Sequence, residues 1–153
     1  MDAMTGRQAI RGHETLPHTA DVGLRGWGST MAVAFEEAAL ALGELTAEVA
    51  EAGRGGHMLD ERIELAAGDL VGLAYAFLNE LVGLIDLYGA LRDTHLSEIG
   101  PSDDGWRLRG SARFLPYDGV GVRRRAEVKS ATYHGLTVDR LDAEWTMTAY
   151  LDV

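Results

Sequence analysis

The last residues of the chain alternate between apolar and polar side chains. Trp145, Met147, Ala149 and Leu151 alternate with Thr146, Thr148, Tyr150 and Asp152. A period of two is typical of a β-strand with one buried face. We therefore predict a strand that runs to the last residue, Val153. The Asp152 side chain and the terminal carboxylate would then lie side by side, and a cation is one way to balance their charge.

Two segments have the apolar periodicity of helices. The first runs from Met31 to Val49, with Ser29 or Thr30 as its N-cap. The second begins at residues 68–69, continues through a long apolar run to Tyr88 and stops at Gly89. Several acidic side chains fall largely on the other face of the first helix, which we interpret as solvated surface: Glu36, Glu37, Glu44 and Glu48.

The remaining segments are predicted to be strands and turns. Short strands are expected at residues 22–28 and 62–65, and alternation at residues 106–114 predicts a longer one. Residues 116–119 have turn chemistry, and a further strand is expected at residues 126–132. Two helices among strands that are bunched late in the chain indicate an α+β fold. We predict one domain over residues 13–153, after a disordered tail at residues 1–12.

Composition narrows the class of protein. The chain has 153 residues, no cysteine and a formal net charge of −10. This charge makes nucleic acid an unfavourable primary partner, because phosphate binding needs clustered cations. The apolar run at residues 70–91 is interrupted by Asn79, Glu80 and Asp86, so we interpret it as a core helix. With no secretory signal visible, we predict a cytoplasmic protein without membrane contact.

Three segments carry residue types that could perform chemistry. Residues 18–23 (His-Thr-Ala-Asp-Val-Gly) precede the first predicted strand, and a turn role for Asp21 is an equal alternative. Residues 129–135 (Lys-Ser-Ala-Thr-Tyr-His-Gly) bring a hydroxyl, a phenol and an imidazole into one loop, where a hydrogen-bonded turn is favoured over catalysis. The third is the terminal Asp152-Val153 pair. The arginine run at residues 123–125 is interpreted as a solvated edge, with an RNA or phosphate contact left open.

Together these segments resemble the archease family. The likeness runs from about Leu16 to Val153, through His-Thr-Ala-Asp-Val-Gly-Leu-Arg at 18–25, Ala-Phe-Glu-Glu-Ala-Ala at 34–39 and Phe-Leu-Asn-Glu-Leu at 77–81. It continues in Val-Lys-Ser-Ala-Thr-Tyr-His-Gly-Leu at 128–136 and ends on Asp152-Val153. Any one motif is weakly specific, whereas the ordered set is specific.

The resemblance implies a small α+β protein that is not itself an enzyme. Archeases are cofactors of the RtcB-type RNA ligase of tRNA splicing and RNA repair; they accelerate its guanylylation and allow multiple turnover. The family's metal site, usually assigned calcium, carries over to Asp21, Asp152 and the terminal Val153. Oxygen ligands suit calcium, with magnesium or manganese as alternatives. His18, Lys129, Tyr133 and His134 are assigned to supporting the site or contacting the partner, and RNA is reached only through the ligase.

The sequence departs from the family pattern before the first motif. Relatives commonly have an aspartate where this chain has Pro17. If that aspartate helps to hold the metal or the partner, its loss weakens the site or shifts the role to Glu14. Two other functions stay open. One is a metal-dependent phosphoesterase in which His134 is the general base and the aspartates are ligands. The other is a general chaperone or scaffold that works without metal.

Overall fold

The computed structural model describes residues 11–16, 21–118 and 120–153. Within them are two helices, α1 (Met31–Thr46) and α2 (Leu70–Tyr88). There are nine strands: β1 (Gly12–Leu16), β2 (Val22–Gly28), β3 (Ala47–Val49), β4 (Leu59–Ala67), β5 (Ala90–Ser102), β6 (Gly105–Leu115), β7 (Val122–Arg124), β8 (Ser130–Leu141) and β9 (Glu144–Asp152). A short 3-10 turn spans Glu51–Gly53.

The strands form three antiparallel sheets. The largest has the order β1-β2-β9-β8, the second has the order β4-β6-β5, and β3 pairs with β7. The C-terminal strand β9 is therefore an interior strand, held between β2 and β8. Two helices with antiparallel sheets confirm the predicted α+β class.

Both helices pack between the two larger sheets. α1 lies against β2 on one side and β5 on the other, while α2 lies against β8 and β4. The rings of Phe35 and Phe77 meet with centroids 5.3 Å apart, which joins the two helices in the core. At Gly26 the strand backbone approaches α1 so closely that a Cβ there would meet the backbone of Ala34 and Ala38. A strand glycine is typical of such a close approach.

The predicted helix starts are confirmed, and one predicted end is wrong. Thr30 caps α1 through its side chain and Asp69 caps α2 in the same way. The first helix stops at Thr46, whose hydroxyl donates to the Leu42 carbonyl (2.8 Å), and the chain continues as β3. The prediction extended the helix to Val49 because that residue is still apolar. Val49 instead packs against a second, small core beside β3 and β7.

The predicted strand at residues 126–132 begins too early. In the structure β8 starts at Ser130. The backbone N–H groups of Arg125 and Ala126 donate instead to the carbonyls of Thr46 (2.8 Å) and Leu45 (3.3 Å). These carbonyls lie at the end of α1, where no intrahelical donor remains. Residues 125–126 thus cap the C-terminal end of α1. The alternation of apolar and polar residues cannot predict this contact, because it depends on a helix that is distant in the chain.

The prediction of a solvated glutamate face is wrong for two of its four members. Glu36 and Glu37 are only 9% and 4% exposed. Glu36 Oε2 accepts from the backbone N–H of Leu96 (2.8 Å), and Arg11 contacts both carboxylates. Because α1 lies between two sheets, its polar face is covered by β1 and β5. Buried carboxylates require such partners.

Helix α2 is long and apolar enough to cross a membrane by length and composition alone. Six of its residues are nevertheless buried in the protein core, including Leu73, Phe77 and Leu81. We therefore assign it as a core helix, as the sequence predicts. The predicted disordered tail lies mostly outside the described residues, and Gly12 within it is the first residue of β1.

Candidate functional site

The register of β2 and β9 brings Asp21 and Asp152 to the same end of one sheet. The last paired residues at that end are Val22 and Leu151. Asp21 directly precedes Val22, and Asp152 directly follows Leu151. The two aspartates, far apart in sequence, therefore flank one pair of a single ladder. We call this end of the sheet, with Asp21, Asp152 and Val153, the acidic tip.

The terminal segment at the acidic tip is held from the other side by β8. Ser130 lies opposite Asp152 in the β8–β9 register. The backbone N–H of Lys129 donates to the Asp152 carbonyl at 2.8 Å. Asp152 and Val153 are themselves exposed, with Val153 at 43%. The terminus is thus ordered by backbone pairing while its carboxylate groups remain open to solvent.

The second predicted segment forms a wide bulge in β8. The register jumps from Thr132 opposite Tyr150 to Thr137 opposite Thr148, so residues 133–136 face a single residue of β9. Gly135 has a φ of +74°, in the left-handed region that favours glycine. A Cβ on Gly135 would lie 2.8 Å from the Tyr150 ring, as would one on Gly23. The glycines of both motifs therefore accommodate the same aromatic ring.

The bulge is anchored to α2 by two contacts. The ring of Tyr133 stacks on that of Tyr75, with centroids 4.0 Å apart and an interplanar angle of 7°. The side-chain amide of Asn79 donates to the Ala131 carbonyl (3.3 Å) and accepts from the Ala131 N–H (2.9 Å). Asn79 was not among the predicted site residues. The sequence does carry a signal for this residue, because Asn79 is an uncharged polar side chain inside the apolar run that forms α2.

The remaining residues predicted for the site differ in where they lie. His134 is exposed on the bulge, and Lys129 is exposed beside the acidic tip. His18 and Pro17 lie outside the described residues. Glu14, on the edge strand β1, does not take over a role at the acidic tip. It pairs with Arg25 (3.3 Å), which lies about four residues or 13 Å along β2 from Asp21.

The acidic tip offers oxygen donors and no softer ligand among its described residues. Carboxylate oxygens of this kind fit a hard cation such as calcium, magnesium or manganese. Across the described parts of the chain, no three side chains of His, Asp or Glu converge as a ready metal site. The side-chain oxygen donors of the acidic tip are thus those of Asp21 and Asp152.

A second acidic cluster lies where β1 packs against α1. His13 Nδ1 lies 2.7 Å from Glu37 Oε1, and its Nε2 lies 2.9 Å from Glu44 Oε2. Desolvation by burial is the largest single influence on the pKa of His13 and lowers it. The hydrogen bonds and negative charges of Glu37 and Glu44 outweigh that effect and raise the pKa above 6.5. The His13 ring therefore clamps β1 to the helix through Glu37 and Glu44.

Known proteins match this chain over most of its length. The model of the Archease protein family matches residues 13–153. A protein archease from Pyrococcus furiosus is 34% identical over 145 residues, covering 94% of this chain and 100% of the relative. A protein archease from Methanopyrus kandleri is 34% identical over 143 residues, covering 92% and 98%.

Two solved structures have the same fold. The solution structure of protein 1598 from Methanobacterium thermoautotrophicum has a TM-score of 0.73 at 29% identity and covers 93% of this chain and 99% of that one. The crystal structure of an archease from Thermotoga maritima, described as a possible chaperone, has a TM-score of 0.56 at 17% identity and supports the fold alone; it covers 92% and 96%. By the family match and the identity to its relatives, this chain belongs to the archease family.

Proposed function

We propose that this chain is a non-catalytic activator of an RtcB-type RNA ligase that works through a divalent cation at the acidic tip. The observation that carries the proposal is the β2–β9 register, which places Asp21 and Asp152 at one end of the sheet beside the chain terminus. Family membership supports the choice of partner. In this role the protein promotes guanylylation of the ligase and allows repeated turnover.

The residues of the chain perform three tasks in this proposal. Asp21, Asp152 and the Val153 carboxylate hold the cation, which supplies positive charge at an otherwise anionic tip. Carboxylates within several ångströms repel one another by roughly 1–4 kcal/mol, so cation binding and an ordered terminus are coupled. Lys129 fixes the Asp152 backbone through its own N–H. The bulge at residues 133–136 presents Tyr133 and His134 beside the tip for contact with the ligase.

The decisive experiment follows covalent guanylate labelling of a matching ligase with and without this protein. We expect stimulation by the native chain with calcium, magnesium or manganese, and its loss in Asp21→Asn and Asp152→Asn. Asp139→Asn is the matched control, because Asp139 is exposed on β8 toward the other end of the same sheet. No stimulation by stoichiometric native protein would reject the activator role.

A chaperone role is the second candidate; the description of the Thermotoga maritima fold neighbour names this role, as a possible one, for that protein. Such a protein would suppress aggregation of unfolded clients without a cation. The Asp21→Asn variant separates the two functions, since equal suppression by variant and native protein would support the chaperone. Phosphoester cleavage at enzyme-like rates, lost in His134→Ala, would instead support the hydrolase alternative.

A further inference from the structure

A groove beside the end of α1 gathers arginine side chains that have no acidic partner. It has a volume of about 360 Å³, and its rim carries Arg54, Arg92 and Arg125. The small, buried residues Gly43, Ala47 and Ala90 also line it. The volume falls in the range of small-molecule sites. We call it the arginine groove.

Acidic side chains are plentiful in this chain, which has 24 acidic residues against 14 basic ones. Most described arginines are ion-paired: Arg11, Arg25, Arg107, Arg109, Arg113, Arg123 and Arg124. Among the described residues, the side chains of Arg54 and Arg92 have no hydrogen bond or ion pair. Arg125 donates only to a backbone carbonyl, that of Glu44 (3.4 Å).

Two glutamates also line the arginine groove, but both have partners that do not line it. Glu44 contacts His13 through Oε2 (2.9 Å), and Glu48 pairs with Arg123. Neither glutamate is therefore paired with an arginine of the groove. The three arginines on the rim are left to attract an anion, although the protein as a whole is strongly acidic.

The backbone of β5 has a β-bulge at the groove. The register with β6 slips between Leu91 and Asp93, so Arg92 is the extra, unpaired residue of a β-bulge. Bulges typically redirect a side chain and occur next to functional sites. On the facing helix, a Cβ at Gly43 would lie 2.5 Å from the Leu91 carbonyl oxygen. The close approach of α1 to β5 beside the groove therefore requires a glycine, and Arg92 is the extra residue of a bulge.

From these observations we propose that the arginine groove binds phosphate groups. Guanidinium groups match the geometry of phosphate oxygens and form charge-assisted hydrogen bonds with them. The phosphates belong either to a single-stranded RNA or to a free phosphate compound. This site lies on elements other than those of the acidic tip, and its function does not depend on the proposed activation of a ligase.

The test measures binding to the full chain alone. A labelled single-stranded RNA of about ten nucleotides is followed by fluorescence anisotropy, with tripolyphosphate as competitor. Three phosphate contacts predict a slope of log affinity against log salt of about −2. Arg92→Gln should weaken binding about tenfold or more and make that slope shallower by about 0.7. Arg62→Gln is the matched control, since Arg62 is exposed, without a described partner, and outside the groove.

Each result decides the proposal. RNA binding that is displaced by tripolyphosphate and weakened by Arg92→Gln, with Arg62→Gln unchanged, identifies RNA as the source. Direct calorimetric binding of tripolyphosphate without RNA binding identifies a free phosphate compound. If neither RNA nor tripolyphosphate binds at low salt, the proposal is overturned. It is also overturned if Arg62→Gln weakens binding as much as Arg92→Gln does, or if an acidic peptide displaces the RNA more strongly than tripolyphosphate does. Melting curves of the variants show whether they fold. Arg92→Lys keeps the positive charge and serves as a second variant if Arg92→Gln does not fold.

Discussion

The side-chain amide of Asn79 on α2 pairs with the backbone of Ala131 on β8 through two hydrogen bonds, as a neighbouring strand would. The distances are 3.3 Å from Nδ2 to the Ala131 carbonyl and 2.9 Å from the Ala131 N–H to Oδ1. Strand β8 is the edge of its sheet, so these backbone groups have no strand partner. Asn79 thereby anchors the start of the bulge that contains Tyr133 and His134.

Replacing Asn79 by aspartate should destabilise the protein by about 1–3 kcal/mol. The carboxylate keeps the shape of the amide but cannot donate to the Ala131 carbonyl, and it leaves that buried acceptor facing a negative charge. Denaturant unfolding measures the change. Glu80→Gln, the adjacent exchange of a carboxylate for an amide, should stay within about 0.5 kcal/mol of the native protein. A native midpoint in Asn79→Asp would contradict the anchoring role.

Gly135→Ala should cost about 1–2 kcal/mol of folding stability. The position has a φ of +74°, and the added methyl group would lie 2.8 Å from the Tyr150 ring. Gly100→Ala is the control, because a Cβ at that site of β5 meets nothing within 4 Å. Thermal unfolding of the two variants should differ clearly; similar melting temperatures would show that the bulge relaxes without strain.

The clamp of His13 between Glu37 and Glu44 should make stability depend on pH. Because the folded pKa is raised above 6.5, the folded protein binds the proton more tightly than the unfolded chain. The stabilisation is fully present below about pH 6.5 and is lost as the pH rises through the folded pKa.

The measurement for this clamp compares unfolding free energies of native protein and His13→Gln between weakly acidic and weakly alkaline pH. The native advantage should be largest at the acidic end and shrink toward the alkaline end. His57→Gln, at an exposed histidine outside the clamp, should follow the native profile. An advantage of the native protein that is independent of pH would show that His13 acts only by packing.

A divalent cation at the acidic tip should stabilise the folded chain. Calcium at 100 times its dissociation constant would add about 2.7 kcal/mol, which corresponds to roughly 5–10 °C in melting temperature. Deletion of Val153 and Asp21→Asn should both abolish the shift, while Asp139→Asn should retain it. A full shift after attaching a C-terminal tag would exclude the terminal carboxylate as a ligand.

The sequence alone determined the class of fold and the position of most elements. The alternation in residues 145–152 and the starts of the two helices, after Thr30 and at residues 68–69, are local properties, and the sequence predicts them because they depend only on neighbouring residues. The ordered motifs likewise identify the archease family without any information on tertiary contacts. These features depend on periodicity, turn chemistry and family pattern.

Only the tertiary structure decided which residues meet. The end of α1 at Thr46, the burial of Glu36 and Glu37, and the partner of Asn79 all depend on elements that are distant in the chain. The acidic tip exists because β2 and β9 pair in one particular register. A shift of that register by one residue would separate Asp21 from Asp152 and turn every side chain to the other face of the sheet. That pairing is set by packing of the whole domain, so local pattern could propose the two aspartates but not bring them together.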